Sequence, residues 1–524
     1  TSTTKSKNNK RRGSSKPGRK PWTDLEIRHA LRKMLSDLRA RLRLYIQGVH
    51  SYQTTGGGDG GGGGRDRGAT TAATTAEKEK RWRVLSKYTS FIVRTRHREH
   101  VMEEMLKDNA NDSLTFFWLA QMRHHFVPNT GRDKSVPGVT SIRVFGTSIL
   151  HGGEMFGARG ASSIVVTPLT ERCYRAILLS LSTQGAHGGS GAVLNGPPGM
   201  GKTETMRMCA LECGVSCPVL NGSERIDGPT GMVRMIRAAT GSGATWLLLD
   251  NIGRVPMAVL SVVGHALATL RRSIIAGKTM MPGGEGGYRG GEADDDASAS
   301  SSSVGDMFFE FNGRKSIVKP GGKVVATVDH DHEERSEKSR KQLPENLSLF
   351  FRPCTLLSFG PLDLQRVAEI TLLSGGFRCS ERLARRLTTL HTCAGQLLGG
   401  AGAGEEHQQH YDYSLRSLIM ALREATELLQ SSGTMRSRTR SESAAEETKL
   451  VHEGGEKERE YEQAAAAAEQ DDAVFASERS IMATAWRRIH DPQLTDALDR
   501  ARARRLVDEI LLHGAESIAG LGLA

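Results

Sequence analysis

Gly196, Pro197, Pro198, Gly199, Met200, Gly201, Lys202 and Thr203 satisfy the spacing G-x-x-x-x-G-K-[ST]. Glycines at these positions let backbone N–H groups turn inward around phosphate oxygens, and a helix starting at the lysine adds its positive end. Lys202 would reach the β- and γ-phosphates of a nucleoside triphosphate, and the Thr203 hydroxyl would hold Mg²⁺. The alternative is a Gly/Pro-rich loop that matches by chance, and its surroundings weigh against it. Ala192-Val193-Leu194 reads as a buried strand entering the loop, and Glu204 to Cys213 as the helix leaving it. A nucleoside triphosphate site, kept or inherited, is the expectation.

Other elements must place the remaining chemistry around that loop. Thr245 to Leu249 reads as a second buried strand, closing on Asp250, and Val324 to Val328 as a third, closing on Asp329. Strands alternating with helical patterns predict a parallel α/β sheet whose ligand sits at the strands' carboxyl ends. Upstream, Ile164-Val165-Val166 is a short apolar run ending at Thr167-Pro168-Leu169-Thr170, and a helical pattern follows.

Two groupings could be read as metal sites. Cys209, Cys213 and Cys217 are spaced by four, but they lie on and just after the expected helix, where small buried residues pack on a sheet. Asp329-His330-Asp331-His332 sits on one short loop where alternate residues point in opposite directions, which suits a metal poorly.

The bulk composition bounds the rest. An apolar fraction of 38% and 59 glycines predict that part of the length carries no packed core. Net charge is +12, and eight of the basic residues fall in the first 20 positions without an acid. No apolar segment follows that run, so it is not read as a secretory signal. It suits nucleic acid, an acidic microtubule surface or a nuclear import receptor, or simply a solvated tail. No stretch reads as the ~18 apolar residues that span a bilayer, so a soluble chain is expected. Seven scattered cysteines suggest a reducing compartment.

Along the chain, Thr23 with Glu26 three residues later forms a capping box before a stripe of Ile27, Leu31, Leu35, Leu38, Leu42 and Ile46. Residues 56–64 are glycine except for Asp59. A second helix is expected from about Arg81 to Lys107 and a third around Phe116 to Leu119. After Phe351-Arg352-Pro353 a helical region is expected, and Asp491-Pro492 should cap and start a last helix.

These motifs together resemble one family, the dynein heavy chains. Val166 to Tyr174 (VTPLTERCY) is similar to the start of their first AAA+ module, TPLTDRCY, and Gly196 to Thr205 (GPPGMGKTET) to its GPAGTGKTET. Val259 to Val263 (VLSVV) matches its EVLSVVAQQ helix. Leu343 to Pro353 (LPENLSLFFRP) resembles LPDNLKALFRP, and His410 to Arg416 (HYDYSLR) resembles HYDYGMR, a form that leans towards axonemal dyneins. Phe117 to Arg123 (FWLAQMR) resembles FQWISQLRY at the end of the dynein linker. The resemblance covers about residues 81–425, with gaps.

It implies an α/β fold: an AAA+ P-loop NTPase module, a parallel sheet flanked by helices with a small helical subdomain, preceded by a helical linker segment and carrying long disordered insertions. The expected organisation is a basic tail at 1–21 and a linker-like helical region at 22–162 with a Gly-rich insertion at 53–75. The large α/β subdomain follows at 163–360 with a low-complexity loop at 282–306, then the small helical subdomain at 361–430. A disordered linker at 431–475 and a helical stub at 476–524 complete it. ATP would be cradled by Gly196 to Thr203 with Glu204 beside it, Val166 and Pro168 would line the adenine pocket, and Thr203 and Asp250 would hold Mg²⁺. Arg416 would be the sensor arginine, and Arg352 falls near the arginine finger that serves a neighbouring module.

Two positions depart from the family's pattern. Asn251 stands where hydrolysing modules carry the glutamate that positions and polarises water, and an amide has no basic oxygen for that. Asp329 is the candidate for the third-strand sensor, normally Asn, and its carboxylate would repel a γ-phosphate. The expected function is therefore an ATP-binding dynein motor module with impaired hydrolysis, an ATPase by resemblance only. A non-catalytic nucleotide-binding scaffold of a dynein complex is the alternative, and a nucleic-acid-associated AAA+ ATPase a third. Expected partners are other heavy-chain modules and light and intermediate chains. Microtubules would be reached only through stalk and tip regions that this sequence lacks, nucleic acid is disfavoured, and no membrane is expected. Cytoplasm and cytoskeleton, with the axoneme of a cilium or flagellum, are the implied locations.

Overall fold

Despite its many arginines, the first helix carries an apolar seam that fixes how it packs. In the computed structural model α1 (Asp24–Thr54) lies against α2 (Thr70–Lys107), and Leu42 and Val49, seven apart, are buried against Ile92. Tyr45 stacks on Phe91 with ring centroids 5.2 Å apart. Residues described are 24–54, 70–108, 115–128, 138–153, 164–182, 191–222, 228–279, 307–311, 313–319, 321–329, 345–355, 359–398, 411, 413–443, 456–494 and 496–514. Thr23, most of the glycine-rich insertion, the 282–306 loop and His330 to His332 lie outside them.

The linker-like region is not purely helical, a correction to the expectation for 22–162. After the short α3 (Phe116–Ala120) come β1 (Arg123–Val127), β2 (Val139–Val144) and β3 (Thr147–Leu150), an antiparallel sheet in that order. Val139, Ile142, Val144 and Ile149 are β-branched residues that favour a pleated surface. Ile142 and Val144 are buried in the core of the following α/β unit.

That unit begins with α4 (Pro168–Leu181), β4 (Gly191–Gly196), α5 (Lys202–Glu212), β5 (Val219–Asn221), α6 (Gly228–Ser242) and β6 (Trp246–Asp250). It continues with α7 (Met257–Thr279), the hairpin β7 (Met307–Phe311) and β8 (Arg314–Val318), β9 (Lys323–Asp329), α8 (Glu345–Phe350) and β10 (Phe351–Thr355). Five strands pair in parallel in the order β10-β4-β9-β6-β5. Alternation assigns their side chains to two cores. Leu194, Trp246, Leu248 and Val325 join α4 and α5 on one face, while Val193, Leu247, Leu249 and Val324 join α6 and α7 on the other. Burial on both faces is why these strands read as unbroken apolar runs.

Over Met257–Ile275, α7 is long and apolar enough to cross a membrane, against the expectation that no segment would be. Its apolar face serves the sheet instead: Leu260, Val263, Ala266, Leu267 and Leu270 are buried there. On the opposite face Cys209 and Cys213 are buried in the core. The hydrogen bond to Cys213 and burial hold the Cys209 thiol well above its ordinary pKa, as suits a packing group.

The small subdomain is α9 (Pro361–Gly375), α10 (Ser380–Leu398), α11 (Leu415–Ser443), α12 (Glu456–His490) and α13 (Ala497–Leu506) around one core. Helix covers 431–443 and 456–475, inside the expected linker at 431–475. Ala464 to Ala468 are strong helix formers whose repetition reads as low complexity, and Phe475 is buried against α10. Glu478 of α12 accepts from Arg378 N and Cys379 N at 2.8 and 3.0 Å, just before α10 begins. A second correction concerns Asp491-Pro492. It forms a 3-10 turn, and α13 starts later, capped by Asp496, whose carboxylate accepts from Leu498 N at 3.0 Å.

Ion pairs join α1 and α2 to α9. Glu99 receives Arg39 at 2.9 Å and Arg96 at 2.8 Å, and Arg96 also reaches Glu369 at 2.8 Å.

Candidate nucleotide site

The phosphate loop leaves the carboxyl end of β4 and winds into α5. Gly199 and Gly201 have φ of +76° and +78°, a left-handed conformation that glycine adopts without strain. Lys202 opens α5 and is buried, and its ammonium is fully engaged. Nζ donates to Gly196 O at 2.8 Å and Pro197 O at 2.5 Å and pairs with Asp329 Oδ1 at 2.7 Å.

Next to it the ends of β6 and β9 form one polar network. Asp250 Oδ1 accepts from the hydroxyls of Thr203 at 2.6 Å and Thr327 at 2.7 Å. Thr327 Oγ1 in turn accepts from Asn251 N at 2.8 Å. Asn251 itself is left-handed at φ 52°, which turns its side chain to donate from Nδ2 to Asp329 Oδ2 at 2.5 Å. Arg254, three residues on in a 3-10 turn, stands 3.7 Å from the same oxygen. Loop, helix start, and a hydroxyl set against a carboxylate fit a nucleotide phosphate with its metal. Thr203 and Asp250 are the residues that could hold Mg²⁺.

The small subdomain roofs the loop. A Cβ added at Gly199 would meet Ser414 Oγ at 2.5 Å, and one at Gly201 would meet Leu415 Cδ2 at 3.9 Å. Met200, Val166, Leu169, Leu364 and Leu415 gather in one cluster, so β4, α4 and the two subdomains converge where a base could lie. Ahead of α4, Thr167 and Thr170 form a reciprocal capping box, with Thr167 N donating to Thr170 Oγ1 at 2.7 Å and Pro168 in the first turn.

The structure thus brings together Gly196, Gly199, Gly201, Lys202, Thr203, Asp250, Asn251 and Asp329. Other expected site residues stand apart. Glu204 pairs with Arg207 at 3.0 Å on the surface of α5. Arg416 is exposed and makes no ion pair or hydrogen bond among the described residues, although Leu415 beside it touches the site. Arg352 is exposed on β10, where it pairs in register with Ala192 of β4. Thr327, Arg254 and Ser414 were not singled out from sequence. Thr327 could have been found, since it precedes Asp329 by two and shares its face of the strand.

A family model described as the hydrolytic ATP binding site of dynein motor region matches residues 156–282 and 299–451, more than half of the chain, including Gly196 to Thr203, Asp250, Asn251 and Asp329. Human dynein axonemal heavy chain 2 is 30% identical over 329 residues, 63% of this chain and 6% of that protein, and its mouse counterpart is 31% identical over the same length. Human dynein axonemal heavy chain 3 is 29% identical over 334 residues, 63% of this chain and 7% of the relative. The chain spans less than a tenth of the length of these relatives. With an AAA+ α/β unit, its phosphate loop and the matching motifs in one place, the chain belongs to the dynein heavy-chain family, in the region of the hydrolytic ATP-binding site.

Proposed function

We propose that this chain binds Mg·ATP as a dynein motor module and turns it over slowly. Gly196 to Thr203 hold the phosphates, Thr203 and Asp250 hold Mg²⁺, and Val166 with Pro168 borders the base. Bound Mg²⁺ would neutralise phosphate charge. What supports slow turnover is the Asn251 amide, which donates to Asp329 and offers no carboxylate to orient and polarise water, a contribution of roughly 10²–10⁴ in rate. Microtubule-based movement, assembly with other heavy-chain modules and with light and intermediate chains, and an axonemal location belong to the same proposal, by family. A nucleotide-binding scaffold without turnover is the second reading, and the same amide favours it.

Calorimetry with Mg·ATP tests binding. Lys202→Ala is expected to weaken it at least about tenfold, on the order of 1.4 kcal/mol, and equal affinities would sink the assignment. Single-turnover hydrolysis separates the two readings: a slow but measurable rate supports the motor module, and none at all the scaffold.

A further inference from the structure

Lys202 has three N–H bonds to give, and all three are taken. Two go to backbone carbonyls of the loop, and the third to Asp329 Oδ1 at 2.7 Å. The other oxygen of that carboxylate is held by Asn251 Nδ2 at 2.5 Å and faced by Arg254 at 3.7 Å. An anion is therefore already fixed on the cation that a phosphate-loop lysine presents to the last phosphates of a nucleotide. It is built in, side-chain exposure being 5% for Lys202 and 22% for Asp329.

From this we infer that Asp329 makes the site selective for nucleoside diphosphates over triphosphates. A terminal phosphate that is to be held by Lys202 must displace Asp329 from the ammonium, leaving a carboxylate beside a phosphate of the same sign. A diphosphate asks less: its β-phosphate, held by loop N–H groups and the Thr203–Asp250 pair, needs only a share of the same ammonium, and it has no γ-phosphate to lie against the carboxylate. Asn251 reinforces the choice, because its amide holds one oxygen of Asp329 and keeps the other aimed at Lys202 rather than turned away. The inference rests on the nucleotide site proposed above and assigns its preferred ligand class.

The test is calorimetry on the full chain with Mg·ADP and with the Mg complex of a non-hydrolysable ATP analogue, for wild type, Asp329→Asn and Asp329→Glu. Wild type is expected to bind the diphosphate at least about tenfold more tightly. Asp329→Asn should erase that gap mainly by improving triphosphate binding, while Asp329→Glu, which keeps the charge, should retain it. Asp329→Ala replaces Asp329→Asn if thermal melting shows the latter to be unfolded. A ratio that is the same in wild type and the neutral variants overturns the selectivity alone. Failure of both nucleotides to bind any of the proteins overturns the nucleotide site, and the selectivity with it.

Discussion

The amide of Asn251 and the carboxylate of Asp329 are a matched pair, Nδ2 donating to Oδ2 across 2.5 Å where the ends of β6 and β9 lie side by side. Each alone looks like a defect in a hydrolytic site. Together one supplies the donor that the other accepts. Asn251→Glu would set two carboxylates against each other and is expected to destabilise the fold by about 1–3 kcal/mol. Adding Asp329→Asn should recover most of that, a non-additive result in a double-mutant cycle. Single-turnover hydrolysis should rise in the double variant and stay near wild type in Asn251→Glu. Additive stabilities, or equal rates in the two variants, would count against the pairing.

Gly199 gives a sharper test of the roof over the loop. Alanine there meets two obstacles, a φ of +76° and Ser414 Oγ 2.5 Å from the new Cβ. Gly199→Ala is expected to lower the melting temperature and weaken nucleotide binding, with backbone strain of the order of 1–3 kcal/mol. Ser414→Gly added to it should relieve the contact and leave the strain. An unchanged melting temperature in the double variant relative to Gly199→Ala would mean that Ser414 does not press on the loop.

A pH dependence follows from His97. Burial pushes its imidazole down to about 4, and the charges of His100, Arg366 and Arg98 act in the same direction. Its Nδ1 is 3.6 Å from Glu171 Oε1, whose carboxyl is raised, chiefly by burial. With a folded value below the unfolded value of about 6.5, the native state binds fewer protons than the unfolded chain. The stability is present above pH of about 6.5, falls as pH drops through the window, and levels off below about 4. Glu171 titrates with the opposite sign, so the imidazole is read from a difference between proteins. Denaturant midpoints of wild type and His97→Gln should diverge across that window, the variant losing less. Parallel curves would refute it.

Much of the α/β unit was legible because its inner strands are buried on both faces and show as apolar runs. β5 and β10 were not. Val219–Asn221 is three residues long, and Phe351–Thr355 contains Pro353 and an exposed Arg352, tolerable because β10 is an edge strand. The pairing of β10 with β4 also joins segments too distant in sequence for any local pattern to reveal. At the site the residue types could be read but not their opposition. Asn251 and Asp329 are 78 positions apart, and only the β6–β9 neighbourhood makes them partners. Ser414 and Thr327 were overlooked because a hydroxyl residue has no distinctive spacing; their roles come from what folds against them. The five alanines before Phe475 were misread for a related reason, since repetition without an apolar stripe hides a good helix former.

The small subdomain is held on one side by Leu364 and Leu415, which pack into the α/β core as well as their own. On the other side Arg96 bridges Glu99 and Glu369 to tie α2 to α9. Ionic strength should act on these two junctions differently. Electrolyte screens charges beyond a Debye length of roughly 8 Å in physiological saline and roughly 3 Å at molar salt, and leaves apolar contacts intact. Leu373 of α9 also packs against Leu42, Val49 and Ile92, so in molar sodium chloride the α1–α2 hairpin is expected to loosen on α9, seen by small-angle scattering, while the roof over the phosphate loop stays closed. The hairpin would then behave as an arm clasped by charge over one small apolar contact, on a subdomain fastened by grease, able to slacken without opening the pocket.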